Sequence, residues 1–283
     1  MTAGARASRS SLGWRIFKAS VIALVVAWSI GPIVLMVLAS LRPPREIFDP
    51  AAPLLFSPSL DSYRALFKQW PDFFAGMANS GIVTVFATAL AVLASALAGY
   101  AYSRVRTRAM GLSAFGLVFL RLIPPIVTTL PLFPIVNWLR LNDTHLILIL
   151  LYATFFVSLG TMVMRTFMDQ IPVEIDEAAL VDGASHLQLI GRIMLPLAAQ
   201  GMIAVAVFVI VFAWNEFLFA FIFTTKAAKT APLVLAEMTG AVDGVDWGVL
   251  FAAASLHLLP VLAFVVLAQR HLVEGLTAGG TKG

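Results

Sequence analysis

Few residues in this chain could do chemistry, and they are unevenly placed. The densest polar run is EAALVDGASHLQLIGRIMLP, from Glu177 to Pro196, where Glu177 and Asp182 stand among small residues. Two more ionisable residues, Arg121 and Glu216, interrupt long apolar runs, with Trp214 and Asn215 beside Glu216. A charge at membrane depth costs roughly 3 kcal/mol, so each is a functional candidate. Trp214, Asn215 and Glu216 offer a flat apolar face and groups that match hydroxyls, the chemistry of sugar recognition. Asn79 and Thr128 are weaker candidates for the same path. Bonds to a neighbouring span or a partner chain would account for the same residues. Arg121 reads as a side chain that snorkels inward, pairs with an acid across the bundle, or meets an anionic solute.

Other chemistries are missing. The phosphate-cradling pattern G-x-x-x-x-G-K-[ST] does not occur, and Gly279-Gly280-Thr281-Lys282-Gly283 lacks its spacing and its following helix. His145, His186, His257 and His271 are scattered without metal-ligand spacing. Cysteine is absent, which excludes a disulfide framework and a thiolate metal site. No catalytic residue, metal or cofactor of the chain's own is expected.

The elements that position these residues follow from composition. The 283 residues are 60% hydrophobic and 12% charged, against about half and a quarter in soluble domains. Six apolar runs are long enough to cross a bilayer as helices: 19–41, 79–102, 112–132, 146–168, 197–223 and 249–269. They do not alternate as barrel strands would, so the fold class expected is all-α, a polytopic bundle of six transmembrane helices. The net charge of +4 does not point to nucleic acid, because the basic residues flank the apolar runs. Arg6, Arg9, Arg15 and Lys18 imitate a secretory signal, with Val37-Leu38-Ala39 as its cleavage site. The run 19–41 is far longer than the ~7–15 residues of such a signal, so it is expected to stay as the first span.

Lysine and arginine are heavier on the side of Arg104, Arg106 and Arg108. That places both termini and residues 177–196 in the cytoplasm. The expected organisation is an inner tail 1–18, a first span 19–41 and a proline-rich outer loop 42–78. A core at 79–269 and an inner tail 270–283 complete it. The outer stretch 224–248 has G-x-x-x-G spacing at Gly240, Gly244 and Gly248, yet reads as a loop because Asp243, Asp246 and Trp247 sit among the glycines.

Residues 169–196 read as helix, glycine turn, helix. Pro172 suits a first turn, and Glu174, Asp176 and Glu177 lie near the positive end of that helix. Gly183 supplies the stop. Ser185 and Gln188 form a capping box, and Leu187, Ile190 and Met194 share one face bordered by Leu189 and Ile193. Pro196 ends the second helix. Ala178 and Ala179 would let a partner approach the backbone, and Glu177 and Asp182 would meet its basic groups. A loop folded back on its own bundle satisfies the same pattern.

The segment resembles the EAA motif of permease subunits in bacterial ABC importers. That motif is E-A-A, three residues, G, nine residues, I-x-L-P. Glu177-Ala178-Ala179, Gly183, Ile193, Leu195 and Pro196 match every defined position. Asn79-Ser80, the run 98–104, Ile123-Pro124-Pro125, Pro131-Leu132-Phe133, 214–217 and the tail 274–283 resemble the carbohydrate-uptake branch, which includes maltose permeases. With no large outer domain, the chain is similar to the smaller permease of that pair. Gly160 and Gln200 depart from the family, which often has proline there, and this puts bends in spans four and five in question.

The resemblance implies a type I importer domain in a bacterial inner membrane, with 177–196 as the helix that docks on the ATPase. It implies a second permease subunit, two ATPase copies that carry the ATP, and a solute-binding protein that delivers a carbohydrate. Glycerol phosphate, a polyol or an oligopeptide is the alternative cargo. A docking scaffold, or a self-contained secondary transporter, is the alternative class; the latter would show internal repeats, and none is evident.

Overall fold

A computed structural model of the chain describes residues 12–51, 53, 56–241 and 244–278, with side chains through Gln269. Arg6, Arg9, Asp243 and residues 279–283 lie outside it. Among the described residues every regular element is helical. The α-helices are α1 (Leu12–Ser40), α2 (Asp61–Gln69), α3 (Pro71–Arg104), α4 (Arg108–Arg121), α5 (Pro125–Trp138), α6 (His145–Met168) and α7 (Val173–Val181). Then follow α8 (His186–Gln188), a π-helical segment Leu189–Met194, α9 (Leu195–Leu197), α10 (Ala199–Trp214), α11 (Leu218–Phe223), α12 (Ala231–Thr239) and α13 (Trp247–Ala278). By length and apolarity α1, α3, α6 and α13 can each cross a membrane, and six crossings result if two bent helix pairs each count as one.

Those bends correct two of the expected spans. The run 112–132 is not one helix, since α4 and α5 meet at 96°. Pro125 lacks an N–H and forces the residue before it out of the helical region, and Pro124 accordingly has ψ 133°. The run 197–223 is also interrupted. Residues 186–197 meet α10 at 74° across Ala198, and the backbone leaves the helix again between α10 and α11. The missing prolines therefore act differently. α6 passes unbroken through Gly160, whereas the fifth span bends at Ala198 although Gln200 stands in place of proline.

Two expected loops contain helix. Within 42–78 lie a 3-10 turn (Pro44–Glu46), α2 and the first two turns of α3, which starts at Pro71 with Asp72 in its first turn. Within 224–248 lies α12. Short amphipathic helices among polar residues carry too little apolar sequence to be told from loops. α13 also runs on to Ala278, through much of the stretch expected as a tail.

The chain forms two compact units. The first comprises residues up to Gln69 with Val245–Leu256. There the Ser40 hydroxyl donates to the Val37 carbonyl (2.7 Å) and meets the Tyr63 hydroxyl (2.8 Å), closing the end of α1 onto α2. The membrane-length window of α1 buries no residue within the chain.

The second unit, Trp70–Gly244 with His257–Gly283, holds the main core. α3 and α6 run parallel, as shown by meetings of Asn79 with His145, Ser95 with Val157, Gly99 with Met164 and Arg104 with Met168. Small residues make this approach possible. A Cβ on Gly99 would stand 2.5 Å from the Met164 Cβ, and one on Gly160 would strike the Ser95 hydroxyl. α10 returns antiparallel, with Gly201 against Phe167 and Val205 against Gly160.

Candidate functional site

α7 and α8 form the projection that the sequence singles out. Pro172 is the N-cap of α7, and Gly183 turns the chain with φ +85°, a left-handed conformation that glycine adopts without a Cβ penalty. The capping box is present: Ser185 Oγ accepts the Gln188 N–H (3.3 Å) and Gln188 Oε1 accepts the Ser185 N–H (2.9 Å). Glu177, Ala178, Asp182 and Pro196 are exposed, Ala179 is buried, and Ile193 and Leu195 are half-buried. The tip is apolar as well as acidic. Val181 is 86% exposed and Leu187 84%, with Leu180 beside them.

The expected face of Leu187, Ile190 and Met194 needs correction. Leu189 and Met194, five residues apart, are the fully buried pair, while Leu187 points outward. The cause is the π-helical winding, in which the Leu195 N–H bonds back to the Ile190 carbonyl and so brings i and i+5 onto one face.

Asp176, not Glu177, ties this projection to the bundle. Its carboxylate accepts from Arg104 Nε (2.9 Å) and Nη2 (3.1 Å) and from the Tyr100 hydroxyl (2.8 Å). Arg104 also donates to the carbonyls of Met168 (3.3 Å) and Ile171 (3.1 Å). The pair is nearly sealed, with side chains 12% and 8% exposed. Hence one guanidinium joins the end of α3, the end of α6 and the first turn of α7. The sequence carries a faint signal for it. Asp176 lies three residues before Ala179 and shares its face, a spacing the sequence shows, while the burial of that face shows only in the structure.

The opposite end of α3 and α6 is locked by different residues. Asn79 Nδ2 donates to the carbonyls of Ala227 (3.0 Å) and Lys229 (2.9 Å), and its Oδ1 meets His145 Nε2 at 2.7 Å. With both amide protons committed, Asn79 Oδ1 accepts, so His145 Nε2 carries the hydrogen. Ser80 Oγ accepts the Ala231 N–H (2.9 Å). Asp143 caps the loop before α12 by accepting the N–H groups of Thr225, Lys226, Ala227 and Ala228. Burial pushes its carboxyl up, but those four backbone donors outweigh it and hold the group well below the usual carboxylate range.

Of the residues proposed for the solute path, Trp214, Asn215 and Glu216 lie together where α10 ends. Trp214 is buried, stacks on His257 at 5.4 Å and donates to the His257 carbonyl (3.2 Å). Asn215 is exposed and donates to the Val211 carbonyl (2.7 Å). Glu216 accepts the N–H groups of Phe219 (2.9 Å) and Ala220 (3.4 Å), and thereby caps α11. Asn215 and Glu216 line a cavity of about 350 Å3 together with Tyr152 and several phenylalanines. Asn79 and Thr128 are not part of it. Asn79 serves the lock above, and the Thr128 hydroxyl donates to the Pro125 carbonyl of its own helix (2.7 Å). Arg121 finds no acid among the described residues. Its guanidinium lies 5.4 Å over the Phe155 ring with Nη1 buried and unbonded. No cluster of metal-ligating side chains occurs among the described residues.

Residues 91–277 match the family of binding-protein-dependent transport system inner membrane components. The chain is 36% identical over 251 residues to the probable ABC transporter permease protein y4oR of Sinorhizobium fredii, covering 89% of this chain and 90% of that protein. It is 34% identical over 263 residues to the trehalose transport system permease protein SugB of Mycobacterium tuberculosis, covering 92% and 95%. The fold is shared with a chain of the crystal structure of a bacterial ABC transporter that imports the acidic polysaccharide alginate. There the TM-score is 0.78 at 19% identity, covering 95% of this chain and 99% of that one.

Proposed function

Because this chain belongs to the family of binding-protein-dependent transport system inner membrane components, we propose that it is one permease subunit of an ATP-driven carbohydrate importer. Its task is translocation. ATP binding and hydrolysis reside on separate ATPase subunits, a second permease completes the pathway, and a solute-binding protein delivers the sugar. The trehalose permease among its relatives supports the carbohydrate assignment. The observation that carries the mechanical part is the projection at 172–196, acidic and apolar at its tip and riveted to two spans at its base.

In this reading the side of the projection is cytoplasmic, as are both termini, and the membrane is a bacterial inner membrane. Closure of the ATPase pair pushes on the tip around Gly183. The stiff base passes that motion into α3 and α6 through Arg104, and into α10 through the bend at Ala198. The path then alternates between outward and inward exposure.

Glu177→Lys tests the docking surface. Glu177 is exposed and makes no side-chain bond among the described residues, so the melting temperature should stay within about 2 °C. Sign reversal at an interface with basic partners should lower ATPase-coupled uptake by about tenfold in a reconstituted complex. Uptake and stimulated ATP hydrolysis both equal to wild type would remove Glu177 from the interface.

A further inference from the structure

Where α3 and α6 end and α7 begins lies a polar recess of about 460 Å3, lined by Tyr102, Arg104, Arg106, Arg165 and Asp169 among others. That volume lies within the range of small-ligand pockets. Three guanidiniums share the wall with one carboxylate, so the recess carries excess positive charge. The three arginines differ in what holds them. Arg104 is spent on Asp176 and on two carbonyls. Arg165 pairs with Asp169, but its Nε stands 3.6 Å from the carboxylate and both side chains are nearly half exposed. An exposed i,i+4 pair of that length holds weakly. Arg106 is exposed and makes no side-chain bond among the described residues. Two cations are therefore available at a recess whose floor the Arg104 pair keeps rigid.

The height of the recess says what reaches it. α3 and α6 are both membrane-length helices, and the recess lies at their last turns, where headgroups are. Tyr102 brings a ring with a polar tip to that level, as interfacial tyrosines do, and its hydroxyl meets that of Ser113 on α4 (2.9 Å). On α4, Leu112, Phe115 and Phe119 stand exposed at helical spacing, an apolar stripe beside which acyl chains can lie.

We propose that this recess is an anion site that takes the phosphate of an acidic phospholipid headgroup, with Arg106 and Arg165 as the residues that bind it. The chemistry is a phosphate ester on two guanidiniums, which free phosphate could also supply. Basic pockets at the ends of spans suit lipid headgroups, and free phosphate would leave the apolar stripe on α4 bare. Asp169 competes with the headgroup for Arg165. Ile171, whose carbonyl Arg104 holds, also lines the recess, so a bound headgroup braces the turn from which the projection leaves. The site is independent of the importer reading, because any spanning chain presents this end to a leaflet.

The test is native mass spectrometry of the full chain, purified with its partner subunits and released from nanodiscs of equal phosphatidylglycerol and phosphatidylcholine. The wild type should retain phosphatidylglycerol in preference. Arg106→Gln with Arg165→Gln should lower that retention about tenfold. Asp169→Asn, which frees Arg165, should raise it, an effect that misfolding does not imitate. Arg15→Gln, at an exposed position outside the recess, should leave it unchanged. Excess inorganic phosphate should not displace the lipid, and displacement would overturn the lipid as the source. No preference for phosphatidylglycerol, or a loss as large from Arg15→Gln as from the double variant, overturns the site. If the double variant does not assemble, Asp169→Asn decides alone, and retention unchanged or lowered in it overturns the site as well.

Discussion

Asp176→Ala is expected to destabilise the protein by about 3–5 kcal/mol, the range for breaking a buried ion pair from one side. The loss is large because Arg104 stays where it is. Its guanidinium is 12% exposed and held by the Met168 and Ile171 carbonyls, so it cannot swing into water when the carboxylate is gone. Tyr100 loses its acceptor at the same time. The melting temperature of the purified complex should fall steeply, and uptake should fall with it. The double variant Asp176→Ala with Arg104→Met should recover part of the loss, since it removes the stranded charge as well. A double variant no better than the single one would mean that Arg104 matters through something other than this pair.

Gly99→Leu is the second large effect. α3 and α6 approach so closely that even a Cβ at Gly99 would stand 2.5 Å from the Met164 Cβ and 2.9 Å from the Arg165 backbone nitrogen. A backbone neighbour cannot rotate away, so the two helices must separate. Overpacking of a well-filled core costs about 1–3 kcal/mol and more when the backbone has to move. The variant is expected to accumulate poorly and to lose both the ion pair at Arg104 and ATPase docking. Gly111→Leu is the contrast, because a Cβ at Gly111 meets nothing within 4 Å and the helix there faces outward. Equal yields of the two variants, read by fluorescence-detected size exclusion, would contradict the close packing.

Much of this was legible in the residues because the signals are local. Apolar length marks α1, α3, α6 and α13, glycine marks the turn at Gly183, and Ser185 with Gln188 marks the start of α8. What was illegible depends on winding or on distant partners. The π-helical turn moves the buried face from Leu187 to Leu189 and Met194, and no periodicity of 3.6 predicts it. The breaks in the fifth span hide because Ala198 and Asn215–Phe217 are short interruptions in an otherwise apolar run. The pairing of Arg104 with Asp176 joins residues 72 positions apart. Asn79 looked like a path residue because it is polar at the edge of a span, yet its whole amide holds the loop before α12 and His145.

The chain contains no cysteine, so a single introduced one is unique. Val181→Cys at the tip of the projection and Trp138→Cys at the far end of α5, 86% and 81% exposed, can each carry a benzophenone photocrosslinker in membranes that hold the whole complex. Irradiation should join the chain to the ATPase subunit from position 181 and not from position 138. Crosslinking to the ATPase from 138, or none from 181 in membranes where uptake is intact, would contradict the claim that this projection is where the ATPase grips the bundle.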